Sequence, residues 1–272
     1  MMQNDFLVKI KKELCNYRNI PKDLINYIID VIEKDKEIQL LSPILTDKKQ
    51  RKNVWGNMDS KFKKGINITK LSPVELLERL DFHPKDTEFS KFDAMWAELR
   101  TIFFLNDLGL YDITPLKAKN KKNTKSADMI AQGHSYKYTI EVFCRTFRQL
   151  ENVITMPPKI SKKEIEELGN KNKFEQNPKP EMSLLFQYYL CKAKEKKQQL
   201  DNTTEKYLCD KNILVMVLND PYFLNSTNCY VYKKLLKEIS IKLNWGCGYH
   251  YAIITGMSTW GICDDVIYPP II

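Results

Sequence analysis

The sequence predicts an α/β fold in which a mixed central sheet packs against helices and follows an N-terminal helical region. Three patterns lead to this prediction. Residues 126–146 read as two short strands around a glycine-containing turn, and the second of them, residues 136–146, alternates polar and apolar side chains, which is typical of a β-hairpin. Residues 212–218 (NILVMVL) form a continuous apolar run, as expected of a strand that is buried on both faces. Helical periodicity flanks these strands, beginning near residue 90 and again over residues 182–200.

The first 85 residues are predicted to be mainly helical. Two amphipathic helices are expected within residues 1–45, and a capping box with proline (Ser-Pro-Val-Glu at residues 72–75) starts a short helix that runs to about residue 80. Between them, residues 47–64 are polar and basic, and this pattern favours a loop or a mobile arm. The sequence Phe-His-Pro at residues 82–84 then breaks the helix, and we place a domain boundary near residue 85.

The remaining residues, 86–272, alternate helices and strands. The helix beginning at Ser90 is expected to end at Gly109, and it carries Glu98 on its apolar stripe. A strand over residues 110–116 and a basic loop over residues 117–125 lead into the hairpin. The later elements are predicted as a charged insertion at residues 157–180, a helix at 182–200, a strand at 212–218, a helix at 230–243 and a strand at 249–255.

Two carboxylates of the hairpin are candidates for a metal site. Asp128 belongs to the first strand, and Glu141 lies in the middle of the second, between Ile140 and Val142. A carboxylate among apolar neighbours is costly unless something binds it. Acidic side chains on adjacent strands provide the hard oxygen ligands that a divalent cation needs.

The overall charge indicates a polyanionic partner. The chain has 43 basic and 34 acidic residues and a net charge of +9, which favours nucleic acid first and an anionic membrane surface second. No export signal and no apolar run of membrane-spanning length is visible, so no membrane partner is expected. The seven cysteines contain no C-x-x-C pair, and this pattern is typical of reduced thiols in a cytoplasmic protein.

The predicted order, a helix with Glu98, a strand, strands with Asp128 and Glu141, a helix and a strand, resembles the PD-(D/E)XK nuclease superfamily. Its restriction-endonuclease-like core is αβββαβ, and the resemblance covers roughly residues 90–218. It implies that Asp128 and Glu141 hold Mg²⁺, for which Mn²⁺ can substitute, with the Val142 carbonyl as a further ligand and Glu98 in support. The implied activity is metal-assisted hydrolysis of phosphodiester bonds.

The chain departs from the family's motif at one position. The third strand usually carries Glu-x-Lys, whereas here Glu141 is followed by Val142 and Phe143. The substitutes for the missing lysine are Arg145, about 7 Å further along the same strand face, and Lys192 on the following helix, where the superfamily's lysine is known to migrate. The apolar surroundings expected for a stripe lysine favour Lys192.

Three functions therefore remain open. The first is a metal-dependent endonuclease acting on DNA, most simply double-stranded DNA, with a role in restriction or phage defence and a homodimeric state as further expectations. The second is a catalytically inactive module of the same fold that binds nucleic acid, and the third is an unrelated α/β protein. Residues 1–85 are assigned to DNA recognition or dimerisation. Phosphate contacts are expected from Lys117, Lys119, Lys121, Lys122, Lys125 and Lys137.

Overall fold

The structure, a computed structural model, describes residues 2–34, 47–80, 82, 84–85, 90–116, 126–145, 180–218, 249–255 and 265–267. The helices and strands in these ranges alternate as the sequence predicts from residue 90 onward. In chain order they are α1 (Met2–Leu14), α2 (Lys22–Lys34), α3 (Lys48–Thr69), α4 (Pro73–Arg79), α5 (Ser90–Asp107), β1 (Tyr111–Pro115), β2 (Met129–Gln132), β3 (Lys137–Arg145), α6 (Pro180–Tyr207), β4 (Lys211–Leu218), β5 (Tyr249–Thr255) and β6 (Asp265–Ile267).

The strands form one mixed, open sheet in the order β1-β2-β3-β4-β5-β6. The first two pairings are antiparallel, β3–β4 and β4–β5 are parallel, and β5–β6 is antiparallel. The parallel steps require crossover connections, and α6 is the connection between β3 and β4. The predicted α/β class with a mixed sheet is therefore confirmed, and β6 is a strand that the sequence pattern did not indicate.

Several local predictions are confirmed in detail. Ser72 and Glu75 form a reciprocal capping box at the start of α4, with Pro73 in the first turn. Gly109 ends α5 with a φ of +82°, and the Leu110 amide donates to the Leu105 carbonyl at 3.0 Å. Strand β4 is buried along residues 212–217, as its continuous apolar run predicts.

Glycine is required in the hairpin turn for a different reason from the one that the sequence predicts. A hairpin of this type is expected to need a glycine with positive φ, but Gly133 does not have a positive φ. A Cβ at this position would lie 2.9 Å from the Tyr138 ring and 3.1 Å from Leu110 Cδ2. Glycine is therefore required here because neighbouring side chains approach its backbone closely, rather than because of backbone conformation.

The prediction of a loop or mobile arm at residues 47–64 is wrong, because this segment forms the first part of the 22-residue helix α3. Asp47 caps the helix by accepting hydrogen bonds from the amides of Lys49 (2.6 Å) and Gln50 (3.1 Å). Polar residues dominate the segment, so its helical periodicity is carried by a narrow apolar stripe. The buried members of that stripe are Val54, Trp55, Met58, Phe62 and Gly65.

The N-terminal helices share their core with the sheet. Arg51 on α3 makes a two-pronged ion pair with Glu13 on α1, with N–O distances of 2.9 and 3.1 Å. One buried apolar cluster extends from Ile10 through α5 to Val217 of β4. Packing thus continues across the predicted boundary near residue 85, and a separate recognition or dimerisation role for residues 1–85 stays a prediction.

The two faces of the sheet are covered differently. Met129, Ala131, Ile140 and Val142 belong to the large apolar cluster shared with α5 and the N-terminal helices. The neighbouring strand positions alternate to the other face, which α6 covers. Among the described residues, none of the helices combines the length and the apolar character that a membrane span requires.

Some predicted elements lie outside the described residues. These are the basic loop at residues 117–125, nearly all of the insertion at 157–180 and the helix at 230–243.

Candidate active site

Asp128 and Glu141 lie opposite each other across the β2–β3 hairpin. Met129 pairs with Ile140 and Ile130 pairs with Thr139, so the same register places Asp128, the residue before β2, next to Glu141. Directly opposed residues of an antiparallel pair point to the same face. The two carboxylates predicted from the sequence are therefore brought together by strand register.

Hydrogen bonds fix the position of Asp128. Its Oδ2 accepts the backbone N–H of Val142 at 2.7 Å, and its backbone carbonyl accepts the Leu116 amide at 2.7 Å. Because β2 begins only at Met129, the Val142 amide has no β2 carbonyl opposite it, and the Asp128 side chain takes that place. The Asp128 carboxylate is thus held where the β2–β3 pairing ends, beside Val142, the residue that follows Glu141.

Glu141 is fully buried. Its Oε1 forms an ion pair with Lys196 Nζ, whereas its Oε2 is one of the few buried side-chain atoms in the described residues with no hydrogen-bond partner. Burial raises the pKa of Glu141 well above its ordinary value, and the nearby charge of Asp128 raises it further. Lys196 and the Asp128 backbone N–H oppose this rise in pKa only in part.

Lys196 comes from the α6 face that packs on the sheet. Ala193, Leu200 and Thr203 on the same face are buried, so the lysine stem runs through an apolar region to reach Glu141. Burial alone would lower the pKa of Lys196. Attraction to Glu141 and Asp128 outweighs that effect and raises the pKa above its ordinary value. The site therefore contains a protonated amine that contacts Glu141 and lies within electrostatic range of Asp128.

Of the two cations predicted from the sequence, only Lys192 has a side chain that the structure describes. Lys192, the favoured substitute, donates to Glu195 at 2.8 Å on its own helix, one turn from Lys196. Its side chain is 33% exposed, against 22% for Lys196. Arg145 is the last residue of β3, and its side chain lies outside the described part of the structure. The contact expected of Lys192 is made by Lys196, which lies on the same helical stripe in the sequence.

Glu98 is buried on α5, as predicted. Its charge is close enough to Lys196 to contribute to the raised pKa of that amine. Within the described ranges, however, no three acidic, histidine or cysteine side chains come together as one ligand set. Asp128 and Glu141 therefore provide two carboxylates, and Glu98 lies outside that pair.

The donor set fits a divalent cation bound by few protein ligands. Mg²⁺ is commonly held by one or two carboxylates, with waters and substrate phosphate completing its octahedron. The unpaired Oε2 of Glu141 and the repulsion between Glu141 and Asp128 are the two features that a bound cation would relieve. We identify Asp128 and Glu141 as the residues that would hold such an ion.

A buried polar network joins α6 to the hairpin next to these carboxylates. Thr203 Oγ1 accepts the Ala127 amide at 2.7 Å and donates to the Gln199 carbonyl at 2.8 Å. Thr204 Oγ1 contacts Thr139 Oγ1 at 3.1 Å. These bonds tie the helix that carries Lys196 to the residue preceding Asp128. Sequence reasoning missed Thr203, because only its buried position on the helix distinguishes it from a surface threonine.

The lysines predicted to contact phosphates are only partly described. Lys137 donates through Nζ to the Tyr207 carbonyl at 2.8 Å, at the C-terminal end of α6, which is a common structural role for a lysine. The other predicted lysines belong to the loop 117–125, outside the described residues.

No family model, no curated protein and no solved structure matches this chain.

Proposed function

We propose that this chain is a metal-dependent nuclease that hydrolyses phosphodiester bonds in DNA, with a restriction-endonuclease-like core. Asp128 and Glu141 hold Mg²⁺ or Mn²⁺, and Lys196 takes the part of the lysine that Phe143 replaces. The observation that carries the proposal is the contact of Lys196 with Glu141, which faces Asp128 across the hairpin. Two acids and one amine are thereby assembled from three separate segments of chain.

The order of elements supports the same proposal. Helix α5, strands β1, β2 and β3, helix α6 and strand β4 follow the αβββαβ order of the PD-(D/E)XK core. The acids lie at the start of the second strand and within the third, as in that family's pattern. Lysine on the following helix is a known variation of the pattern, and Lys196 is positioned for it.

Each residue has a distinct chemical task in this proposal. A divalent cation, when bound, supplies Lewis-acid activation of the phosphodiester and of the attacking water. Asp128 is held rigidly by the Val142 amide, and Glu141 by Lys196, so neither carboxylate must be reorganised before the reaction. Lys196 stays protonated at neutral pH and can donate to a phosphate oxygen as negative charge develops there.

The proposal is tested by incubating the protein with supercoiled plasmid and with single-stranded DNA in Mg²⁺, in Mn²⁺ and in EDTA. We expect cleavage in either metal and none in EDTA. Asp128→Asn and Glu141→Gln keep the shape of each side chain but remove the anionic ligand, so both should abolish cleavage while the proteins remain folded by circular dichroism. Equal cleavage by wild type and both variants would show that a contaminant or another site is responsible.

A second function, nucleic-acid binding without cleavage, is favoured by one observation. Phe143 is buried and occupies the motif's lysine position, where an aromatic ring cannot donate to phosphate. If wild type binds DNA but never cuts in Mg²⁺ or Mn²⁺, and Phe143→Lys gains cleavage, this second function is correct. The homodimer and the restriction or phage-defence role stay predictions.

A further inference from the structure

A second surface of the molecule combines exposed aromatic rings with lysines, at the opposite end of the hairpin from Asp128 and Glu141. Tyr111 at the start of β1 is 45% exposed and Tyr136 in the hairpin turn is 43% exposed, among the few large apolar side chains so placed in the described residues. Gln132, near this turn, is four positions after Asp128, which corresponds to about 13 Å along the strand. The surface is therefore separate from the candidate active site.

Contacts connect the aromatic residues into one patch. The Tyr111 ring lies 6.3 Å from the exposed His134 ring, and the Tyr111 hydroxyl donates to the Gly133 carbonyl at 3.3 Å. The Gly133 amide in turn donates to the Tyr136 carbonyl at 2.8 Å. Lys211 Nζ lies 3.8 Å from the centre of the Tyr136 ring, a cation–π contact that holds positive charge beside the ring.

A basic cleft of about 570 Å³ adjoins Tyr111 between α3 and β1. Lysines outnumber its one acidic residue, Asp112, and the rest of its lining is mainly amide and hydroxyl groups that can donate to phosphate oxygens. Lys64 also lies 3.6 Å from Asp107, but both side chains are exposed, so water screens this pair. The lining residues that carry the argument are Lys63, Lys64, Asn67, Lys70 and Tyr111.

The backbone of β1 is distorted where it meets this cleft. Asp112 has a φ of +48°, and the pairing of β1 with β2 changes register between Tyr111 and Thr114. Tyr111 and Asp112 are consecutive exposed residues at this point of the edge strand. Bulges of this kind re-aim side chains and are frequent at functional sites.

We propose that this surface, the cleft together with Tyr111, His134, Tyr136 and Lys211, binds single-stranded nucleic acid. Lysines along the cleft neutralise phosphates, and the exposed rings stack on unpaired bases. A duplex keeps its bases stacked inside, so it offers phosphates but no base faces to Tyr111 and Tyr136. The proposal deepens the proposed function and rests on it, since it adds that the DNA bound by the nuclease contains a single-stranded segment.

The test is fluorescence anisotropy with a labelled oligothymidine of about 16 nucleotides, the upper end of the usual site size per domain. EDTA is present, so binding is measured without cleavage. Tyr111→Ala and Tyr136→Ala should each weaken binding by about 5- to 140-fold, the usual loss for one base–aromatic stack. Tyr111→Phe and Tyr136→Phe keep the ring and should bind within about twofold of wild type, which separates stacking from loss of fold.

A second measurement examines the charge. For the double variant Lys63→Gln/Lys64→Gln, the slope of log affinity against log salt should become shallower by about 0.7 for each phosphate of the single strand that the variant no longer neutralises. Lys11→Gln, a change at an exposed lysine of α1, is the matched control and should leave the slope unchanged.

Three outcomes would overturn the proposal: no binding of the oligothymidine by wild type at low salt, equal binding by the alanine variants and wild type, or tighter binding of a matched duplex that the tyrosine variants leave unaffected. These outcomes are distinguishable from a failure of the nuclease proposal. If the protein cuts DNA but gives any of these three outcomes, the proposal for this surface is wrong and the nuclease proposal stands. If the protein binds the oligothymidine as expected but never cuts DNA, the nuclease proposal is wrong and the surface still binds single strands.

Discussion

At the scale of single residues, the site is defined by a buried carboxylate that the fold alone does not satisfy. Glu141 has one oxygen on Lys196 and one without a hydrogen-bond partner among the described residues, and its pKa is raised by burial and by Asp128. Selection for stability alone would replace such a group by an apolar or amide side chain. A residue that costs stability and faces a second acid is better explained by binding a cation.

A stability prediction follows from Glu141. Folding raises the pKa of Glu141 above its unfolded value, near 4.5, because the folded state prefers the protonated carboxyl group. The protein therefore loses stability as pH rises from the unfolded pKa through the folded pKa of this group. Glu141→Gln imitates that neutral form. Without metal, we expect the variant to melt above wild type at neutral pH, and the gap to close as pH falls towards 4.5.

The measurement is thermal unfolding at several pH values, with and without Mn²⁺. Mn²⁺ at about 100 times its Kd should stabilise wild type by about 2.7 kcal/mol and leave the variant unchanged. A variant that melts below wild type at every pH would mean that the Lys196 ion pair outweighs the cost of burial.

Thr203 gives a second prediction at this scale. Thr203→Val keeps the side-chain shape but removes the acceptor for the Ala127 amide, and an unpaired buried amide costs about 1–3 kcal/mol. We expect urea unfolding to show this loss in the free energy of unfolding. We also expect weaker Mn²⁺ binding, because Asp128 directly follows Ala127 in the chain. Thr203→Ser restores the hydroxyl and should recover the metal affinity. Weakened stability with unchanged Mn²⁺ affinity would limit Thr203 to a structural role.

At the scale of elements, the site depends on how α6 is placed over the hairpin. Lys192 and Lys196 are one turn apart on the same stripe, and only the position of the helix along the strands decides which of them reaches Glu141. The threonine contacts with Ala127 and Thr139 set that position. An element's periodicity can be read from sequence, but its displacement along a partner cannot.

The N-terminal helices provide a prediction at the same scale. The hydrogen bond from Arg51 lowers the pKa of Glu13, so this pair contributes stability that is present above the unfolded pKa, near 4.5, and is lost as pH falls through the folded value. We expect Glu13→Gln to cost about 1.5–3 kcal/mol at pH 7, the usual value of charged hydrogen bonds.

Urea unfolding of wild type and Glu13→Gln, at pH 7 and at acidic pH, measures this cost. The difference in free energy of unfolding between the two proteins should shrink on acidification. A difference that is independent of pH would show that packing, rather than the ionised pair, joins α1 to α3.

At the scale of the whole molecule, much of the fold could be predicted from the sequence. The alternation of residues 136–146 and the apolar run at 212–218 predicted strands that the structure contains, and the observed β2–β3 register brings Asp128 beside Glu141. Helix α3 was missed because lysines and polar residues surround a narrow apolar stripe, and charge dominates the pattern. Lys196 was missed because sequence does not fix how far a helix slides along a sheet.

The proposed role of Asp128, Glu141 and Lys196 is to form together a metal-dependent phosphodiesterase site. Its most direct test is the initial rate of DNA cleavage in Mg²⁺ by Lys196→Met compared with Lys192→Met. The two variants make the same change one turn apart on one helix. Lys192 serves as the control because it donates to Glu195 rather than to Glu141. Removing a positioned donor typically costs about 10²–10³-fold in rate, so we expect that loss for Lys196→Met and a rate within about threefold of wild type for Lys192→Met. Equal rates for both variants, or a greater loss for Lys192→Met, would contradict the claim.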